Sequence, residues 1–339
     1  MNILDLSIED IKDQLLKLNE KPFRAKQILE WIYKKNTLNF DQMTNLSISS
    51  KENLKKIFKI TSINLKKIQG SSDKQTKKYL FKLEDGFLIE SVLIISKNRR
   101  TICISSQVGC EIKCSFCASG KKGFFRNLSL SEIVEQILYI KKDINDSITN
   151  IVFMGMGEPL LNLENVVKAI KVISNENYLN ISQRKITLST SGIVEKINEL
   201  KEKNLKINLV LSLHASNDEI RKKIMPIASN YKIKDLLSSL KEYFNTTKRD
   251  ISFEYILIED FNDSKKHALE LVKLLRHFQC TINLIPYNPI ESLSYKKPSF
   301  DRVREFKKVL DDNKIIVTQR YTKGDDISAA CGQLAFKSQ

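Results

Sequence analysis

Three cysteines on one short segment hold the most specific chemical capacity in the sequence: Cys110-Glu-Ile-Lys-Cys114-Ser-Phe-Cys117. A C-x3-C-x2-C run puts three thiolates on a single loop, where they can hold three irons of a cubane and leave the fourth iron open to a small molecule. Zinc is the competing reading. Structural zinc normally takes four protein ligands, often as two C-x2-C pairs, and the one nearby candidate for a fourth is Cys103, for which residues 105–109 would have to fold back. The chain has six cysteines in all. In a reducing compartment such a number does not make a disulfide framework, so metal ligation or catalysis is the better account of any cluster among them.

Other unusual residues stand further along: Gly155-Met156-Gly157-Glu158-Pro159, Ser189-Thr190-Ser191-Gly192, Ser212-Leu213-His214-Ala215 and Pro286-Tyr287-Asn288-Pro289. Glycines let backbone groups face a ligand without side-chain obstruction, although a lone Gly-x-Gly after a strand more often marks a plain turn. Taken singly, Ser189, His214 and Asn288 read as buried, hydrogen-bonded structural residues. Position is what unites these motifs with the cysteines. Each follows the C-terminal end of a candidate strand, at residues 101–106, 150–154, 185–189, 207–213 and 281–285, with a further strand at 252–258. Amphipathic stretches lie between, at 129–142, 163–174, 233–246 and 265–278. Repeated βα units imply a parallel sheet, and six in succession suggest a closed or partly closed barrel, with a doubly wound open sheet as the alternative. In a barrel the C-terminal strand ends share one mouth, so the scattered motifs are expected to converge on one pocket.

Ahead of these units, residues 1 to about 60 read as short helices, Pro22 suiting a first helical turn. From Lys78 to Ser96 the pattern alternates around Asp85-Gly86, a hairpin signal. Glu90, on the second strand of that hairpin, reads locally as a solvent-facing residue. The formal charge is +16 over 339 residues, and residues 1–80 carry 16 Lys/Arg against 9 Asp/Glu, a net +7. Such a skew attracts polyanions, but a bias toward Lys, Asn and Ile from an AT-rich genome produces it equally well. No apolar run reaches the length of a membrane span, and Asp5, Glu9, Asp10 and Asp13 are unlike the basic start of a signal peptide. A cytoplasmic protein without membrane contact is expected.

Together these residues resemble the radical S-adenosylmethionine superfamily. More narrowly, Lys21-Pro-Phe-Arg-Ala-Lys-Gln27, Cys103-Ile-Ser-Ser-Gln-Val-Gly-Cys110, Gly123-Phe-Phe-Arg-Asn-Leu128, Ile186-Thr-Leu-Ser-Thr-Ser-Gly192 and Gly324-Asp-Asp-Ile-Ser-Ala-Ala-Cys-Gly-Gln-Leu334 resemble the dual-specificity RNA methyltransferases, which convert adenine to 2-methyladenine in 23S ribosomal RNA and certain transfer RNAs. The resemblance implies an α/β fold: a partial (βα)6 parallel barrel with a small N-terminal helical accessory domain over residues 1–75, a β-hairpin linker over 76–100 and a core over 101–339. It implies a [4Fe-4S] cluster on Cys110, Cys114 and Cys117. S-adenosylmethionine would lie against Gly157, Glu158, Ser189, Ser212, Leu213, His214 and Asn288. Cys331 would carry the methyl group, Cys103 would resolve the covalent adduct through a transient disulfide, and Glu90 would accept the proton.

Adenine C2, between two ring nitrogens, is too electron-poor to attack a methylsulfonium, so a cofactor must supply radical chemistry. In the family's scheme one S-adenosylmethionine methylates the carrier cysteine and a second is cleaved to a 5′-deoxyadenosyl radical. The base must leave its stack to be reached, and the basic N-terminal helices would hold RNA by phosphate and shape. An electron donor such as flavodoxin or ferredoxin and a monomeric state complete the expectation. Three rivals remain: the sister activity at adenine C8, against which stand Gly157-Glu158-Pro159 and the run from Thr322 to Asp326; a noncatalytic RNA-binding module stapled by zinc; and a radical enzyme acting on a small molecule or peptide. The zinc module leaves the cysteine count unexplained, whereas the radical scheme uses five and leaves Cys280, beside Thr281 and Ile282, for the core.

Overall fold

Ser7 starts the first helix, α1 (Ile8–Lys17): its hydroxyl accepts from the Asp10 amide while the Asp10 carboxylate accepts from the Ser7 amide, so two otherwise orphaned donors are satisfied. Two more helices follow, α2 (Arg24–Tyr33) and α3 (Ile48–Ile57). Ile11, Leu15, Ile28, Ile32 and Leu54 turn inward from all three into the main core. The computed structural model describes residues 1–291, 293–320 and 323–334.

An antiparallel meander comes next, β1 (Ile63–Gly70), β2 (Thr76–Leu83) and β3 (Leu88–Ser96), leading into β4 (Arg99–Cys103). The expected hairpin is β2 and β3, with Leu80 opposite Glu90. β1 corrects the expectation that helical structure runs to residue 75. Ile63 is the one buried residue of that strand, and a bulge interrupts its pairing between Leu65 and Lys67. Lysines and bulges protect an edge strand from adding to another chain, and they also erase the alternation by which a strand is recognised. The hairpin is therefore the middle of a continuous sheet.

Beyond β4 the chain runs β5 (Gln107–Gly109), α4 (Ala118–Lys121), β6 (Phe124–Asn127), α5 (Leu130–Ile144), β7 (Asn150–Phe153), α6 (Leu163–Ser174), β8 (Ile186–Thr190), α7 (Val194–Glu202), β9 (Asn208–Ser212), α8 (Asp218–Ile224), α9 (Ile233–Thr247), β10 (Ile251–Leu257), α10 (Lys265–Leu275), β11 (Cys280–Pro286), α11 (Phe300–Asp312) and β12 (Ile316–Gln319). The main sheet has the order β1-β2-β3-β4-β7-β8-β9-β10-β11-β12. From β4 onward every neighbouring pair is parallel. All six expected parallel strands are there, as β4, β7, β8, β9, β10 and β11. β10 is buried along almost its whole length, as a strand covered on both faces must be. β12 is a further parallel strand that was not expected: its four residues are half-buried or exposed and offer no apolar run. β5 and β6 form a separate two-stranded sheet.

Helix α5 ties these parts together. The Ser131 amide and hydroxyl donate to Asp5 at 2.7 and 2.9 Å. Buried Glu135 accepts from Asn2 Nδ2 at 2.8 Å, from the Ser62 amide at 2.8 Å and from the Ile63 amide at 3.1 Å. One turn face along, Gln136 Oε1 accepts from Ser91 Oγ at 2.6 Å and from the Ser105 amide at 2.9 Å, and its Nε2 donates to the Ser105 carbonyl at 3.1 Å. Buried donors without acceptors are costly, so Glu135→Ala should destabilise the fold by about 3 kcal/mol or more. The expected readout is a lower urea midpoint, with Glu135→Gln, which keeps an acceptor oxygen, falling between the two.

Candidate active site

The cysteine loop leaves β5 through a turn that only glycine fits. The Cys110 amide donates to the Gly123 carbonyl at 2.9 Å. A Cβ on Gly109, whose φ is +76°, would stand 1.8 Å from that carbonyl oxygen. Further along, the Ser115 amide donates to the Ile224 carbonyl at 2.9 Å and the Cys117 amide to the Cys114 carbonyl at 3.2 Å. The loop is thereby pinned to α8 and curled on itself, and Cys110, Cys114 and Cys117 all line one cavity at the C-terminal ends of the parallel strands.

Burial, and then Cys117, push the Cys110 thiol up to about 12. Burial, and then Cys117 and Cys110, likewise raise Cys114. Ionised thiols crowded in a dry site disfavour one another, so three thiolates belong together only around added positive charge. Arg221, fully buried on α8, is one source and acts on Cys114 in that sense. Structural zinc needs four protein ligands about one centre, and the loop supplies three cysteines. A cubane makes no such demand, because each thiolate takes a different iron, and the donor set fits it.

The opposite wall comes from the strand ends. Gly157 has φ +101°, and a Cβ there would stand 2.5 Å from Gln107 Cβ and 2.8 Å from its amide nitrogen; its absence lets Gln107 Oε1 accept from the Glu158 amide at 2.8 Å. The buried Glu158 carboxylate faces away from bulk water and organises its own loop, accepting from the Leu160 amide at 3.1 Å and from the Ser191 amide and hydroxyl at 2.7 and 2.8 Å. Burial still raises its pKa. Ser189 and Ser212 share a hydrogen bond of 3.2 Å across β8 and β9. His214 sits in the left-handed region at φ 58°, with its Nδ1 accepting from the Ile256 amide at 3.0 Å. Burial, then Arg221, push its pKa down to about 3. The ring is thus neutral and its proton is on Nε2, on a side chain that lines the cavity. Leu213 is wholly buried and is held by its amide, which donates to the Glu254 carbonyl at 3.0 Å. Its carbonyl accepts from Arg221 Nε at 3.2 Å, and Leu213 is not among the residues that line the cavity.

Cys331, more than two hundred residues from the loop, lines the same cavity; it is the one cysteine exposed as a residue, while its sulfur is enclosed. Asn288 Nδ2 donates to the Cys331 carbonyl at 3.2 Å, and the Ala118 amide to that of Gly332 at 2.8 Å. Cys103 is buried, and burial first, then Cys331, push its thiol up to about 12; the two sulfurs are within electrostatic reach and both are free thiols. Glu90 does not face bulk solvent. It is buried and paired with Lys78 Nζ at 3.1 Å, and Lys78 Nζ also donates to the Ser328 carbonyl at 3.3 Å. The hairpin carboxylate is in this way connected to the segment that carries Cys331. Of the run from Thr322 to Asp326, Thr322 lies outside the described residues.

Three residues of the site give no signal in the sequence. Arg221 stands before Lys222 and Lys223 and reads as part of a solvated basic turn, yet its guanidinium donates to the carbonyls of Leu213 at 3.2 Å and Ser212 at 3.3 Å. Arg320 and Glu254 pair at 2.7 Å on the cavity wall. Arg320 follows the unexpected β12, and Glu254 interrupts the apolar run of β10, the one cue that could have found it.

Residues 104–272 match the profile of the Radical SAM superfamily, and residues 1–60 that of the Ribosomal RNA large subunit methyltransferase N-terminal domain. The chain is 51% identical over 342 residues to a protein of Protochlamydia amoebophila (strain UWE25) named a probable dual-specificity RNA methyltransferase RlmN 2, covering 100% of this chain and 96% of that one. It is 48% identical over 333 residues to a probable dual-specificity RNA methyltransferase RlmN of Clostridium novyi (strain NT), covering 98% and 97%. A solved radical SAM methyltransferase from Sphaerobacter thermophilus superposes with a TM-score of 0.95 at 38% identity, covering 98% of this chain and 99% of that chain.

Replacing Gly157 with alanine forces a left-handed conformation and a clash with Gln107. At about 1–3 kcal/mol of strain, S-adenosylmethionine should bind about tenfold or more weakly by isothermal titration, with the far-ultraviolet circular dichroism unchanged.

Proposed function

This chain belongs to the dual-specificity RNA methyltransferase family of radical S-adenosylmethionine enzymes, and from that premise we propose that it methylates C2 of adenine in 23S ribosomal RNA and in certain transfer RNAs. One observation carries the reading: Cys331 lines the same cavity as Cys110, Cys114 and Cys117, although more than two hundred residues separate them in sequence. A zinc staple or a plain RNA-binding module has no use for that sulfur.

In this reading Cys110, Cys114 and Cys117 hold the [4Fe-4S] cluster. Together with S-adenosylmethionine that cluster supplies a 5′-deoxyadenosyl radical. The chain's own residues do the rest. Gly157, Glu158, Ser189, Ser212, Leu213, His214 and Asn288 seat S-adenosylmethionine, with the Gly157 backbone and the neutral His214 ring as polar contacts. Cys331 carries the methyl group, and a thiolate is suited to accept it. Cys103, close by on β4, takes over the Cys331 sulfur as a transient disulfide when product leaves. Glu90, paired with Lys78, receives the C2 proton.

The substrate base swings out of its stack into the cavity, while the basic helices α2 and α3 hold the RNA backbone. No helix among the described residues is long and apolar enough to cross a membrane. The protein works as a cytoplasmic monomer and receives electrons from a small acidic carrier such as flavodoxin or ferredoxin.

Purified without air, the protein should be brown and contain iron. Cys114→Ala should lose that absorbance together with its iron, and Cys331→Ala should keep both yet make no product. Nucleoside mass spectrometry of transcribed 23S ribosomal RNA after anaerobic turnover should show 2-methyladenosine. A colourless zinc protein, or 8-methyladenosine in its place, would overturn the reading.

A further inference from the structure

The polar network around Cys331 is more elaborate than is needed to hold a chain end. β12 is a weak edge strand, but its last hydrogen bond is made by the residue after it: the Arg320 amide donates to the Leu284 carbonyl at 2.9 Å. This fixes the start of the Arg320 side chain at the top of β11. From there Arg320 Nη2 reaches Glu254 Oε1 on β10 at 2.7 Å, and Nη1 lies 3.8 Å from Met154 Sδ. Glu254 is buried to 4% and accepts also from Asn283 Nδ2 at 3.2 Å. Asn283 Oδ1 in turn accepts from Thr318 Oγ1 on β12. Three adjacent strands are thus joined through side chains at the level of the cavity, and Glu254 and Arg320 both line it. The guanidinium's remaining partner is Cys331, whose side chain hydrogen-bonds to it.

We propose that Arg320, aimed by Glu254, is a catalytic residue that holds the Cys331 sulfur in position and stabilises its anionic form for attack on an electrophilic methyl group. This rests on the reading of Cys331 as the methyl carrier. In the step itself the Cys331 thiol gives its proton to water, the sulfur electron pair forms the new S–C bond, and the methylsulfonium donor leaves as a neutral thioether. Charge on sulfur is needed at the start of that step and is gone at its end. A fixed cation beside the sulfur therefore favours the reactive form, and Glu254 keeps the cation from collapsing onto the methylated product.

The surroundings make such a device necessary. Burial disfavours the Cys331 thiolate, and so do the Glu254 carboxylate and Cys117; Arg320 is the group that opposes them. Cys103 is the other thiol in range of the same guanidinium. Asn288 holds the backbone of Cys331 through its carbonyl, and Arg320 bonds its side chain. A guanidinium is suited to both tasks, because one planar fork can bond a carboxylate and a second acceptor together.

The test is the reactivity of Cys331 in the full-length protein toward iodoacetamide at pH 7, followed peptide by peptide by mass spectrometry, with half-buried Cys280 as an internal control. Arg320→Gln should slow alkylation of unmethylated Cys331 by about tenfold, the loss of thiolate that one pKa unit represents, and should leave Cys280 unchanged. Arg320→Lys keeps a cation at the same place and should recover most of the rate. The share of Cys331 found already S-methylated in protein purified from cells should fall in Arg320→Gln in parallel. Equal Cys331 rates in wild type and Arg320→Gln, or Arg320→Lys as slow as Arg320→Gln, would overturn the proposal, as would a matching change at Cys280. Alkylation needs neither RNA nor turnover, so its outcome is separate from that of the nucleoside measurement.

Discussion

Three thiols gathered in a dry loop are stable as thiols and unstable as thiolates, and the rest of the site is arranged around that constraint. Cys110 and Cys114 are each pushed up first by burial and then by their neighbours. Bringing them together uses up conformational freedom, offset in part where Cys114 and Cys117 pack against the cluster around Phe116 and Met225. The backbone contacts that curl the loop, from Cys110 to Gly123 and from Ser115 to Ile224, maintain an arrangement whose benefit comes only with a cationic partner. The buried Arg221 guanidinium supplies part of that charge from below and at the same time bonds the carbonyls at the ends of β8 and β9. One side chain therefore sets both the electrostatics of the loop and the shape of the wall opposite.

The parallel sheet performs the positioning at low cost. Each strand delivers its last residues to the same mouth, where Gly109, Gly157 and His214 all have positive φ. Such conformations persist only where surrounding structure determines them. Here the determinants are visible. His214 is held by its own amide and ring nitrogen to neighbouring strand backbone, and Gly157 by the close approach of Gln107.

Much of this was legible in the sequence, for physical reasons that also explain what was not. The six inner strands and their helices are readable because burial on both faces leaves long apolar runs between capped, amphipathic segments. The cysteine loop and the Gly155–Pro159 turn are readable because their residue types are uncommon and closely spaced. β1 and β12 escaped because edge strands are short, lysine-bearing or exposed. Arg221, Glu254 and Arg320 escaped for a different reason: a buried charge is defined by partners distant in sequence, and nothing within a few residues of any of them announces a pairing. Glu90 shows the same limit from the other side, since its alternation on β3 suggested a solvent-facing carboxylate and its partner Lys78 lies across the hairpin.

Adjacent residues of α5 grip different parts of the molecule. Glu135 holds the amino-terminal segment through Asn2, Ser62 and Ile63, and Gln136 holds Ser105, two residues past Cys103. A rigid helix does not let neighbouring side chains move independently, so a force that tilts the amino-terminal helices reaches the neighbourhood of Cys103 through a single lever. Under the proposed function, docking of RNA at one end and sulfur chemistry at the other would thereby be mechanically geared.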